Sequence, residues 1–251
     1  MKRLRYALEY VGLRLALFLL DRLSLQAAVR LARFGADVAY VFSSRRRVAI
    51  DNLLRSGVAR DRAEAGRIAR ESFRHFASLV VESLRSSDTL DETNWRENID
   101  LDIPATTLAL LEKPGQGVIL VSGHLGNWEV AAQMLSYIKP VVGITRDMSN
   151  PYVDRVMKER KPRNRFRLTP KHDTGANRFL AALRDGEILA LLIDQHAREQ
   201  GVVIDFFGQP ASTHRSPALL HLVTGAPLCF GYCLRTGPLQ YRLKTAEPIV
   251  Y

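Results

Sequence analysis

The chain has 251 residues, 47% of them apolar and 25% charged, with 16 Gly and 11 Pro. This is globular usage, and it excludes a disordered, collagen-like or disulfide-scaffold protein while leaving enough apolar mass for one substantial core. The 36 Lys and Arg against 26 Asp and Glu give a formal charge of +10. Ten of those basic side chains but only three acidic ones fall in residues 1–50, so an anionic partner, a membrane surface or nucleic acid, is met through the N-terminal segment.

From Tyr6 to Val41 apolar residues recur at helical spacing (Leu13, Leu17, Leu20, then Leu25, Ala28, Leu31), interrupted by Arg14, Asp21, Arg22 and Arg30. This predicts amphipathic helix. The longest uninterrupted apolar run, Leu15 to Leu20, is six residues, far short of the roughly 20 that span a bilayer, and Glu9 and Arg14 break any signal-peptide core. Basic residues beside an apolar helical face suit an anionic membrane interface, with Leu13, Leu17 and Leu20 as the inserting face. The competing reading is a core helix with a solvated basic face.

Two further helices are predicted over Ser44–Arg55 and Asp61–Leu84, making residues 1–90 a helical, membrane-associating part. Residues 91–251 change pattern. Apolar runs at Val118–Val121, Val141–Thr145, Ile188–Ile193, Val202–Phe206 and Leu228–Leu234 read as strands. Helical stretches at Trp128–Ile138, Tyr152–Arg160, Thr174–Leu183 and Ser216–Thr224 lie between them. Alternation of this kind predicts an α/β fold with a mostly parallel central sheet, packed with the helices as a single domain.

Chemistry in such a sheet is expected at the carboxyl ends of the strands. After Val118–Val121 comes Ser-Gly-His-Leu-Gly-Asn-Trp-Glu. On a continuous helix His124 and Glu129 would point about 140° apart. If Gly123 and Gly126 shape a turn and Asn127 caps a helix, the Glu129 carboxylate can instead reach the imidazole. A histidine held by a carboxylate is a general base, whereas a purely structural histidine is the alternative. No Gly-x-Ser-x-Gly elbow accompanies it, Ser122 precedes the turn, and G-x-x-G is not the spacing of a dinucleotide loop. Cys229 and Cys233, in C-x3-C spacing, read as buried small hydrophobes. His172, His196, His214 and His221 lack metal-ligand spacing, and no metal is implied.

The stretch VSGHLGNWE (Val121–Glu129) resembles the H-x4-D/E box of the lysophospholipid acyltransferase superfamily, and specifically that of the lipid A biosynthesis acyltransferases. TRDMSNPYVD (Thr145–Asp154), LRDGEILALLIDQ (Leu183–Gln195) and FFGQPAST (Phe206–Thr213) are similar to further blocks of that family, in the same order. Phosphatidylinositol mannoside acyltransferases share these blocks.

The resemblance implies a glycerolphosphate acyltransferase-like fold and an O-acyltransferase on the cytoplasmic face of a bacterial inner membrane. His124 would deprotonate a hydroxyl of a glycolipid acceptor such as a lipid A precursor, Glu129 would orient it, and an acyl carrier protein or coenzyme A thioester would be the co-substrate, with no other cofactor. Arg146, Asn150, Asp194, Gln195 and Thr213 would bind substrate, and Gly123, Gly126 and Asn127 would form the oxyanion turn. Other readings compete at several of these positions. Arg146 could pair with Asp147 or Asp154, Asp194 could cap a turn, Thr213 could cap the next helix, and Phe206 and Phe207 could line a pocket or sit in the core. ERKPRNRF (Glu159–Phe166) departs from the family's Arg-x-Arg with glycine. The chain also stops at Pro248–Tyr251 where family members usually run on into a further helix. A membrane-binding scaffold needs only the N-terminus, and a nucleic-acid module needs aromatics among basic strands, which are scarce.

Overall fold

The computed structural model describes residues 2–160, 165–170 and 176–250. They fall into two compact units. One comprises Met1–Tyr10, Ser86–Val202 and Ser212–Tyr251, and the other Val11–Arg85 with Val203–Ala211.

The first unit is α/β. Strands β1 (Ile99–Asp102), β2 (Val118–Ser122), β3 (Val141–Thr145), β4 (Phe166–Pro170), β5 (Ile188–Leu192), β8 (Leu228–Gly237) and β9 (Gln240–Thr245) form one sheet in the order β1-β9-β8-β2-β5-β3-β4. From β8 to β4 the neighbours are parallel, and β9 reverses against β8. The first four residues of β2 are all buried, as expected of a strand covered on both faces. Between strands lie α5 (Ala105–Glu112), α6 (Trp128–Ile138), α7 (Pro151–Glu159), α8 (Ala176–Arg184) and α9 (Ser216–Thr224). A core of Ile119, Val121, Val142, Leu189 and Leu191 packs with Ala182 and Leu183 of α8. The predicted α/β class with a mostly parallel sheet is the observed one.

The second unit is helical, built on the greater part of α1 (Lys2–Arg22), on α2 (Leu25–Phe42) and α3 (Arg45–Arg55), and on all but the end of α4 (Arg62–Thr89). The single amphipathic stretch predicted over Tyr6–Val41 is broken at Leu23-Ser24, because the Ser24 hydroxyl accepts the Ala27 N–H at 3.3 Å and starts a new helix. Tyr40, Ile50, Ala65 and Ala69 share a core, and the Tyr40 hydroxyl donates to the Gly66 carbonyl at 2.9 Å. Asp37 ties α2 to α4 by accepting from Arg70 at 2.8 Å and from both arms of Arg74 at 2.7 and 2.6 Å.

The face assigned to α1 from its periodicity is turned inward. Leu17 is 4% exposed, while Leu4, Leu8, Val11, Leu15 and Phe18, spaced four-three-four-three on the other side, are 51–66% exposed. A single period could not separate two apolar stripes on one helix. No helix among the described residues is long and apolar enough to cross a membrane.

Val202–Phe206 is not a strand of the main sheet. It belongs to β6 (Gly201–Phe206), which pairs with β7 (Gln209–His214) in a separate two-stranded hairpin. Phe206 and Phe207 are therefore neither core nor pocket; they are 59% and 58% exposed. The short strands β1, β4, β7 and β9, which lack a continuous apolar run, were not predicted, nor was helix α5, which is only eight residues long. Of the other expectations, residues 161–164 of the Glu159–Phe166 turn, His172 and Thr174 lie outside the described residues.

Candidate active site

The parallel register brings the site together. Ser122 pairs with Leu192, so His124 and Asp194 each stand two residues beyond the last rung of adjacent strands. There the Asp194 carboxylate accepts the His124 backbone N–H at 2.7 Å and lies 2.8 Å from the ring Nδ1. Gly123 makes the approach possible, because a Cβ there would sit 3.3 Å from the Asp194 carboxyl carbon. A carboxylate on Nδ1 fixes the proton on that nitrogen and leaves the lone pair on Nε2, the arrangement of a general base.

This corrects the partner assigned from sequence. Glu129 lies in the first turn of α6, exposed, and has no hydrogen-bond or ion-pair partner among the described residues. Asn127 begins that helix as predicted, its buried Oδ1 accepting the Val130 N–H at 3.2 Å. The carboxylate at Nδ1 comes instead from just beyond the end of the neighbouring strand, β5. Trp128, which the sequence reading passed over, places its ring edge-to-face with the imidazole at 4.8 Å and 75°. Its position four residues after His124 was the available signal.

Gly126 and Asn127 build the turn. Gly126 has φ +62°, and the Asn127 N–H is already given to the Cys233 carbonyl at 2.9 Å, so it does not face an oxyanion. The His124 N–H is likewise committed to Asp194.

Arg146 follows β3 and has no acidic partner among the described residues. The acids weighed as its partners, Asp147 and Asp154, are both held by Lys158, at 2.8 and 2.6 Å. Asn150 is placed elsewhere than expected. Its side chain is buried and fully engaged, accepting from Tyr152 and Val153 N–H as the cap of α7 and donating to the Tyr6 carbonyl and to Glu9, both at 2.9 Å. Thr213 lies within β7, and the cap position of α9 is Arg215, so Thr213 does not cap that helix.

His124, Glu129, Arg146 and Gln195 line one cavity of about 640 Å³, joined at its polar end by Gln200, His214 and Ser216. His214, set aside in the sequence because it had no metal spacing, is the residue that reading missed there. The other walls are apolar. Ala131 and Ala132 come from α6, and Leu120, Ala190 and Gly143 stand on one rung of β2, β5 and β3, with Phe166 and Leu168 of β4 packed over Gly143. Cys233 also lines the cavity, and burial pushes its thiol up to about 12. Among the described residues no cluster of three His, Cys, Asp or Glu could hold a metal ion.

A histidine–carboxylate pair at the carboxyl edge of a mostly parallel sheet, beside a cavity with polar and apolar walls, places the chain among α/β proteins with a site at the strand ends. The chain belongs to the bacterial lipid A biosynthesis acyltransferase family, whose profile matches residues 1–248. It is 27% identical over 177 residues to a phosphatidylinositol mannoside acyltransferase of Mycolicibacterium smegmatis, a match covering 68% of this chain and 57% of that relative. The chain thus spans little more than half of that protein's length. A crystal structure of the 1-acyl-sn-glycerophosphate acyltransferase of Thermotoga maritima aligns with a TM-score of 0.38 and 14% identity, over 89% of this chain and 85% of that one.

Proposed function

We propose that this protein is a membrane-associated O-acyltransferase that moves a fatty acyl chain from a thioester of acyl carrier protein or coenzyme A to a hydroxyl of a glycolipid. The observation that carries the reading is the His124–Asp194 pair, 2.8 Å apart and lining, through His124, a cavity with a polar end and an apolar floor. His124 Nε2 takes the proton of the acceptor hydroxyl as its oxygen bonds to the thioester carbonyl carbon. The tetrahedral intermediate collapses with loss of the carbon–sulfur bond, and the thiolate leaves with the proton from the imidazolium. Asp194 is a positioning residue that holds the ring and balances its transient charge. Glu129 and Arg146 line the cavity with no ion-pair partner among the described residues, which suits them to the acceptor's hydroxyls and to negative charge on substrate or intermediate.

Attachment to an anionic membrane, on the cytoplasmic side where the thioester donors are made, is supported by the exposed stripe of α1 and by the basic excess of residues 1–50. The family membership favours a lipid A precursor as acceptor, and the mycobacterial relative favours a phosphatidylinositol mannoside as the second reading.

The test is acyl transfer from radiolabelled acyl carrier protein and acyl-CoA to each acceptor, with the product identified by mass spectrometry. His124→Ala should lower the rate by about 10² to 10⁴. Undiminished transfer by that variant, or no transfer to either glycolipid from either donor, rejects the reading.

A further inference from the structure

The hairpin of β6 and β7 exposes what a soluble protein ordinarily hides. Residues 202–206 of β6 are exposed on both strand faces, including Val203 at 71% and Phe206 at 59%. A largely apolar strand exposed on both faces is a liability in water unless something covers it. The one charge in this run, Asp205, is turned back on the hairpin, its carboxylate accepting the Gly208 N–H at 3.0 Å.

The turn itself is unusual in composition. Phe207 and Gly208 are its two residues, with φ of +54° and +70°. Both positions of such a turn favour Asn and Gly, and a phenylalanine in the left-handed region is held against its backbone preference. Here it presents its ring edge-to-face to Phe206, centroids 4.8 Å apart.

The tip, Val203–Ala211, belongs to the same compact unit as most of α1–α4, and the charge of that unit is informative. It holds fourteen basic side chains against eight acidic, and every basic one is arginine. Arg14, Arg30, Arg45 and Arg47 have no acidic partner among the described residues. Guanidinium forks match phosphate oxygens better than ammonium groups do. Exposed apolar rings on an arginine-rich unit fit one kind of surface, phosphate headgroups over hydrocarbon.

We propose that the Phe206–Phe207 turn is a lipid-inserting anchor, separate from the helical stripe of α1, that seats the helical unit in an anionic bilayer. It extends the membrane-attachment reading above to a second element, and its test keeps the two apart.

The probe is the full chain with vesicles of phosphatidylglycerol and phosphatidylcholine. Phe206→Ser with Phe207→Asn should weaken partitioning about tenfold at high salt, where headgroup attraction is screened. The melting temperature should not fall, because Asn accepts the turn's positive φ. Phe207→Trp should give an emission that shifts to the blue on vesicles and is quenched by brominated lipid, beyond the signal of the wild-type protein. Unchanged partitioning of the double variant, or an added tryptophan emission in the Phe207→Trp protein that is indifferent to brominated lipid, overturns the anchor. So does loss of concentration-dependent self-association with vesicle binding intact, since the strand would then pair with a second copy. If the double variant binds normally while Leu8→Ser with Leu15→Ser releases the protein, the hairpin anchor fails and helical attachment stands.

Discussion

Gly126 and Cys233 meet through their main chains: a Cβ on Gly126 would fall 1.7 Å from the Cys233 carbonyl oxygen. Gly126→Ala should therefore destabilise the protein by at least about 2 kcal/mol, combining a left-handed alanine with a backbone clash. Gly123→Ala meets a side chain rather than backbone, and its Cβ lies 3.3 Å from the Asp194 carboxyl. That variant should melt near the wild-type temperature yet transfer acyl groups far more slowly. Thermal melts and rates on the same two proteins decide; equal melting temperatures would contradict the close approach at Gly126.

Asp194→Asn should slow transfer by about 10²-fold or more and move the nitrogen-15 shift of His124 Nδ1, because the partner at that nitrogen has changed. Glu129→Gln should leave that shift unchanged, whatever it does to the rate. Combined with His124→Ala, Asp194→Asn should add little, because the two act as a unit. A His124 Nδ1 shift that responds to Glu129→Gln and ignores Asp194→Asn would restore the partner assigned from sequence.

Ala190 stands on the cavity floor between Leu120 and Gly143. Ala190→Leu should shorten the preferred acyl chain by roughly the three carbons that leucine adds, with short donors little affected. Product mass spectrometry on a donor series reads this directly. Uniform slowing across all chain lengths would place the hydrocarbon elsewhere.

On α1 the outcome should depend on which side is altered. Leu17→Glu puts a charge on a buried position and should cost about 3 kcal/mol or more in stability. Leu8→Ser with Leu15→Ser alters exposed positions and should leave the melting temperature intact while weakening sedimentation with anionic vesicles. Vesicle binding that survives the double substitution would remove α1 from the membrane contact.

The Asp37 clamp sets an acid limit on the helical unit. Hydrogen bonds from Arg74 and Arg70 hold this carboxyl well below the ordinary carboxylate value of 3.8. A depressed folded-state value means the clamp contributes above that ordinary value and is lost as pH falls below it toward the folded one. Asp37→Asn should therefore lower the melting temperature at pH 7, with the gap to wild type closing in strong acid. A gap that persists unchanged at low pH would mean the pairing does not stabilise.

The alternation of apolar runs made the parallel sheet legible, and Gly123, Gly126 and Asn127 announced the turn that holds His124. Asp194 was visible as a strand-end acid, but its pairing with His124 depends on the Ser122–Leu192 register, which no local pattern encodes. The α1 stripes were ambiguous for a similar reason: both have helical period, and only tertiary packing decides which is covered. Asn150 shows the limit of the motif itself. Its Asn-Pro pair reads as a substrate block, whereas the side chain closes a helix end whose first residue, Pro151, brings no N–H of its own.

The strand order has a temporal consequence. Asp194 lies 70 residues after His124, on a strand that inserts between β2 and β3 only after β3 and β4 have been made. A ribosome that has released the H-x4-E turn has not yet released Asp194. The nascent chain therefore carries His124 without the carboxylate that meets its ring, and the pair forms only when the sheet closes around β5, with the long-range pairing rather than with the motif.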